Sequence, residues 1–115
     1  MSSQSNKKNI VYIAGPMRGK PHFNYPAFMR AEKQLRALGY EVINPATMGD
    51  AYGTPEQLNA DPKLLRKLMD AELREIAKCN AIYLLRGWEK SVGARAELAM
   101  ALAFDTTIMQ QRATK

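Results

Sequence analysis

One carboxylate in this chain stands on an apolar background. Between Gly93 and Phe104 the only ionisable residues are Arg95 and Glu97. If the segment is helical, Gly93, Ala94, Met100 and Ala101 share the face of Glu97, lying three or four positions from it. A carboxylate on such a face is costly to bury unless something pairs with it or uses it. The small neighbours also leave room for a ligand. The plainer reading is a glutamate that bonds a sheet-end amide or faces solvent. Ser91–Val92–Gly93 opens the same segment, and a hydroxyl ahead of free helix N–H groups suits an anion, or simply caps the helix. Gly15–Pro16–Met17–Arg18–Gly19 supplies flexible backbone and a guanidinium, a second set of phosphate ligands, although the bare pattern is also that of a turn.

The remaining reactive side chains carry less. Cys79 is the sole cysteine and reads as a small buried hydrophobe. His22 is the sole histidine, so no metal site is expected; it is placed to touch a base or a phosphate from its loop. Trp88 suits either stacking on a nucleobase or packing at a subunit interface.

These residues need elements to bring them together. Asn9 to Ala14 is a short apolar, β-branched run stopped by Gly15–Pro16, which reads as a buried strand. After a loop over 15–24, Asn24 is placed to cap a helix with Pro26 in its first turn. Phe28, Ala31, Leu35 and Leu38 form that helix's apolar face, and Gly39 stops it. A second strand spans 40–44. Residues 46–60 show no period and read as a long loop, a feature that is often functional. Asp61–Pro62 restarts a helix with Leu65, Leu68, Met69, Leu73 and Ile76 as its apolar face. A third strand over 81–85, a polar loop over 86–92, a third helix over 93–104 and a short strand over 106–109 complete the chain.

Alternating strands and helices predict a parallel sheet covered on both faces. The expectation is a single flavodoxin-like (Rossmann-like) three-layer domain over 1–115. Its sheet would have four to five strands in the order 2-1-3-4, behind a flexible tail at 1–8. Ligands of such sheets bind beyond the strand carboxyl ends where the order reverses. That point lies between the first and third strands, where the 15–24 and 86–92 loops meet.

A family resemblance attaches to these residues. Tyr12–Ile13–Ala14–Gly15–Pro16 resembles the first-strand motif of nucleoside 2-deoxyribosyltransferases. The Arg18–Gly19 that follows resembles their relatives, the deoxynucleoside 5′-monophosphate N-glycosidases. Ser91–Val92–Gly93–Ala94–Arg95–Ala96–Glu97 is similar to the Ser-x-Gly-x-x-x-Glu of those N-glycosidases. The resemblance covers residues 10–109 and lies nearest to small phage and bacterial members of the superfamily. It implies that Glu97 is the nucleophile of a double displacement, with Tyr12 orienting it by a hydrogen bond. The bland reading of Tyr12 is a packed core residue. It also implies a phosphate site from Ser91 and Gly93, with Gly15, Pro16, Met17, Arg18 and Gly19 around the substrate; His22 and Trp88 join the candidate substrate-binding residues on their loop positions alone. The transferases carry an Asp where this chain has Ser91, which favours the phosphate-binding, hydrolytic branch. The acid that protonates the leaving base falls at Glu72 or at Asp70, and the sequence leaves both open.

The implied activity is hydrolysis of the base–sugar bond of a (deoxy)nucleoside 5′-monophosphate through a glycosyl-Glu97 intermediate. Deoxyribosyl transfer and non-catalytic nucleotide binding are the alternatives. No cofactor is implied. The chain's net charge of +6 fits an anionic partner. Its basic residues are scattered rather than striped, so a nucleic-acid polymer is disfavoured and a small nucleoside or nucleotide is expected. The sequence has no apolar run of membrane length and one cysteine, so a cytoplasmic, membrane-free protein is expected. The resemblance further implies a homodimer or larger assembly, its interface built largely from the second and third helices.

Overall fold

The computed structural model describes residues 9–112; the tail expected at 1–8 lies outside them. Four strands, β1 (Ile10–Ala14), β2 (Glu41–Ile43), β3 (Ala81–Leu84) and β4 (Thr107–Gln110), pair in parallel in the order β2-β1-β3-β4. This is the order expected from the alternation of elements, with four strands rather than five. Side chains alternate across β1. Val11 and Ile13 face a core shared with Phe28, Ala31 and Leu35 of α1 (Tyr25–Ala37). Tyr12 and Ala14 face the other side, where Ile76 of α4 (Pro62–Ile76) and Ala94 and Ala101 of α5 (Val92–Ala103) pack. The layers are therefore helix, sheet and helix.

Several local expectations differ from the structure. Residues 46–60 are not a structureless loop but two short helices, α2 (Pro45–Gly49) and α3 (Pro55–Ala60). Both are too short to show a hydrophobic period, and capping chemistry makes them. Asn44 Oδ1 accepts from the Ala46 amide at 2.9 Å. Thr54 and Gln57 form a reciprocal capping box. Leu38 is 74% exposed, because α1 ends at Ala37 and the chain turns away. Asn24 does not cap α1; it adopts a left-handed conformation, φ 61°, with no side-chain bond to the helix.

Asn44 also fixes the end of β2 to α1. Its Nδ2 donates to Glu32 Oε1 at 3.0 Å, and Glu32 is itself held by Arg36 at 2.7 Å. That anchorage sets Pro45 at the cavity wall. Gly15 has a different constraint, since a Cβ there would lie 2.7 Å from Leu85 Cβ. Only glycine lets the chain leave β1 so close to the end of β3.

Candidate active site

The two carboxylates converge by helical spacing. On α5 the inward positions are Ala94, Glu97 and Ala101; on α4 they are Leu68, Glu72 and Ile76. Both helices lie on the face of the sheet that carries Tyr12, which is fully buried on the central strand. Glu97 and Glu72 are only 7% and 8% exposed. The Tyr12 hydroxyl donates to Glu97 Oε2 at 2.5 Å, and the Glu72 and Glu97 carboxyls share a hydrogen bond. None of the ion pairs among the described residues involves either carboxylate.

A hydrogen bond between two carboxyls requires a proton, and the environment determines which group holds it. Glu72 is raised to about 9 and Glu97 to about 7, in both cases chiefly by burial. The charge of Glu97 and its hydrogen bond add to the rise of Glu72, whereas bonds from Tyr12 and Glu72 oppose the rise of Glu97, which is why the two values differ. Tyr12 is itself raised well above 10 by burial and by the charge of Glu97, so it remains a donor. The result is a neutral acid, Glu72, beside an ionisable carboxylate, Glu97. The pair titrates as a unit.

The pair opens on a cavity of about 390 Å³ at the carboxyl ends of β1 and β3. One part of the lining is cationic and amide-rich: Arg18 from the loop after β1, then Lys90, Ser91 and Gly93 before and within the first turn of α5. Ser91 Oγ caps that turn by accepting from the Ala94 amide at 3.1 Å. The Val92 and Gly93 amides, in the first turn, have no helical acceptor of their own. A Cβ at Gly93 would meet nothing within 4 Å, and no left-handed backbone requires glycine there. Packing does not demand this glycine, which lines the cavity. The rest of the lining is apolar, from Phe23, Tyr25, Phe28, Leu58, Leu65, Leu68 and Met69. Among the described residues no group of three or more His, Cys, Asp or Glu is placed to hold a metal.

The sequence matches, over residues 9–110, the family model described as "Domain of unknown function (DUF4406)". The chain belongs to that family. No curated protein matches the DUF4406 chain. Among solved structures it is similar to a 2-desoxiribosyltransferase from Leishmania mexicana, with a TM-score of 0.59 and 21% identity. The likeness covers 89% of this chain and 63% of that one, so the DUF4406 chain spans less than two thirds of the enzyme's length. The two proteins share a fold, which is the fold implied by the Tyr12–Pro16 and Ser91–Glu97 motifs.

The DUF4406 chain gathers most of the residues singled out in its sequence. Glu97, Glu72, Gly15, Pro16, Met17, Arg18, Ser91 and Gly93 line the cavity, with Tyr12 directly behind Glu97. Asp70 does not. It lies two positions from Glu72, on the outward side of α4, 61% exposed and paired with Arg74 at 2.9 Å. The structure therefore resolves the choice of which acid faces Glu97 in favour of Glu72. His22, Gly19 and Trp88 also stand off the cavity. His22 is exposed, and Gly19 makes an exposed turn at φ 78°. Trp88 packs, half-buried, against the core cluster that includes Tyr12 and Ala94. Lys90, Tyr25 and the α3–α4 wall were missed from sequence. Lys90 had a signal, as a cation directly before the Ser91 cap. The wall had none, because α3 itself was unrecognised.

Proposed function

We propose that this protein cleaves the N-glycosidic bond of a (deoxy)nucleoside 5′-monophosphate. Glu97 is its nucleophile and Glu72 its acid. The observation that carries the reading is the buried Glu72–Glu97 pair, held by Tyr12 and open to a cavity. Two carboxyls desolvated together without a cation are destabilising for a fold, and sites that do acid–base chemistry are where such perturbed groups concentrate.

The chemistry follows from which group holds the proton. Glu97 Oε forms a bond to the anomeric carbon as the bond to the base nitrogen breaks. The proton of Glu72 passes to the departing base, which leaves neutral. The glycosyl ester on Glu97 is then opened by water, whose proton goes to the Glu72 carboxylate, restoring both groups. Arg18, Lys90, Ser91 and the Gly93 amide receive the 5′-phosphate at the N-terminus of α5. The open space at Gly93 supports this, since a phosphate needs close approach to backbone.

Transfer to a second base differs only in what opens the ester. The fold shared with a solved 2-desoxiribosyltransferase favours keeping that reading second. Incubation with a panel of nucleoside monophosphates, with free base followed by chromatography, tests the proposal. Base release from a monophosphate is the expected result, and base exchange on adding a second free base would move the transferase reading to first place. Binding without release from any substrate would leave only a nucleotide-binding module. Competition should favour a monophosphate over its nucleoside by at least tenfold, about 1.4 kcal/mol; equal affinity would remove the phosphate argument. The reading includes a homodimer, in which a neighbouring subunit completes the site.

A further inference from the structure

Residues 21–24, read from sequence as part of a loop, have a feature that the phosphate site does not use. His22, Phe23 and Asn24 are three consecutive non-glycine residues in the left-handed region, with φ 53°, 53° and 61°. L-residues rarely adopt that conformation singly, and a run of it persists only where surrounding contacts over-determine it. The contacts are identifiable. The Phe23 amide donates to the Lys20 carbonyl at 2.9 Å. Asn24 stands immediately before α1, where an asparagine ordinarily caps, yet its Nδ2 donates to the Pro16 carbonyl at 2.8 Å. Pro16 is buried and follows Gly15, which is packed directly on Leu85. Asn24 thus ties the turn to the rigid end of the sheet. What the turn presents to the cavity is the ring of Phe23.

We infer that Phe23 stacks on the planar heteroaromatic ring of the substrate, and that Asn24 is the positioning residue that holds Phe23 there through the Pro16 carbonyl. The inference rests on the nucleotide reading above. Every nucleobase offers a π-face to an aromatic ring, so Phe23 supplies affinity for the ring as a class. The aliphatic side chains of Leu58, Leu65, Leu68 and Met69 line the same cavity and exclude water from the ring.

Calorimetric titration with a nucleoside monophosphate and, separately, with ribose 5-phosphate tests this on the full chain. Phe23→Leu keeps apolar bulk but loses the flat ring. It should weaken the monophosphate roughly tenfold and leave ribose 5-phosphate, which has no base, unchanged. Phe23→Tyr should bind both as wild type does. Asn24→Asp keeps the size and cannot donate to Pro16, and it should reproduce the selective loss of Phe23→Leu. This second variant carries the test if Phe23→Leu does not fold, as judged by thermal unfolding. Equal weakening of both ligands, or wild-type affinity in both Phe23→Leu and Asn24→Asp, overturns the inference. Titration needs no turnover, so the two readings fail separately. A wild type that releases no base overturns the catalytic proposal, whereas the selective loss reports on Phe23 alone.

Discussion

At the scale of single residues, the site is a proton inventory. Glu72 holds a proton and Glu97 gives one up because both are buried and only Glu97 accepts from Tyr12. The proposed mechanism requires Glu97 ionised and Glu72 neutral, a form that exists between the two pKa values. kcat/KM should therefore be bell-shaped, rising through about pH 7 and falling through about pH 9. The Tyr12 bond lowers the Glu97 pKa. Tyr12→Phe should accordingly move the acid limb to higher pH and cut the rate ~10-fold to 100-fold; an unmoved limb would mean that Tyr12 only packs. The same shifts bear on stability. Both folded-state values lie above the unfolded carboxyl value of 4.5, so the folded state binds more protons than the unfolded state above that pH. Their contribution is fully present below about pH 4.5 and is lost as pH rises through the folded values. Glu72→Gln removes the titration, and at pH 9 it should raise the unfolding temperature by about 5 °C while abolishing turnover. Thermal scans at pH 6 and pH 9 check this, the difference between proteins growing with pH.

At the scale of elements, legibility followed sequence pattern. α4 was readable because it repeats its apolar positions several times, and β1 because it is a short β-branched apolar run stopped by Gly15–Pro16. α5 was readable as an apolar segment opened by Ser91, and the packing of these elements places Tyr12, Glu72 and Glu97 together. Asp70 and Glu72 were indistinguishable by composition. They are separable by period, since Leu68, Glu72 and Ile76 fall at fourfold spacing on the buried side. α2 and α3 were illegible because five and six residues cannot display a helical repeat. The left-handed turn was illegible because Asn24 suits a cap as well as it suits the Pro16 carbonyl. The two glycines near the site make opposite predictions at this scale. Gly93 has open space around it, so Gly93→Ala should stabilise α5 by ~0.5–1 kcal/mol yet weaken monophosphate binding where a phosphate approaches the backbone. Gly15→Ala would drive a methyl into Leu85 and should lower stability by ~1–3 kcal/mol. Denaturant titration combined with ligand titration checks both. A Gly93→Ala variant that binds a monophosphate normally would remove α5 from the phosphate site.

For the whole molecule, α5 also carries apolar side chains on its outward face, with Arg95 the one charged residue exposed among them. Val92 and Leu102 are 73% and 59% exposed, Phe104 follows at 49%, and Ala96 and Ala99 lie exposed between. We propose that this exposed apolar surface is an interface between two copies of the chain. α4 is different: Lys63, Arg66, Lys67, Asp70 and Arg74 are exposed along it, so the proposed interface rests on α5 rather than on both helices. Val92 also lines the cavity, so a second copy docked on α5 would stand at the mouth of the site. Light scattering at micromolar concentration should give a dimer mass, and Leu102→Glu should give a monomer with reduced activity; a fully active wild-type monomer would rule the shared site out. The most direct measurement of all concerns Glu97. Base release from a nucleoside monophosphate is followed by chromatography for wild type and for Glu97→Gln, which keeps the shape and removes the charge. The rate should fall by three or more orders of magnitude, about 4 kcal/mol or more of lost transition-state stabilisation, with the fold intact by thermal unfolding. Base release by Glu97→Gln at the wild-type rate would contradict the assignment of Glu97 as nucleophile.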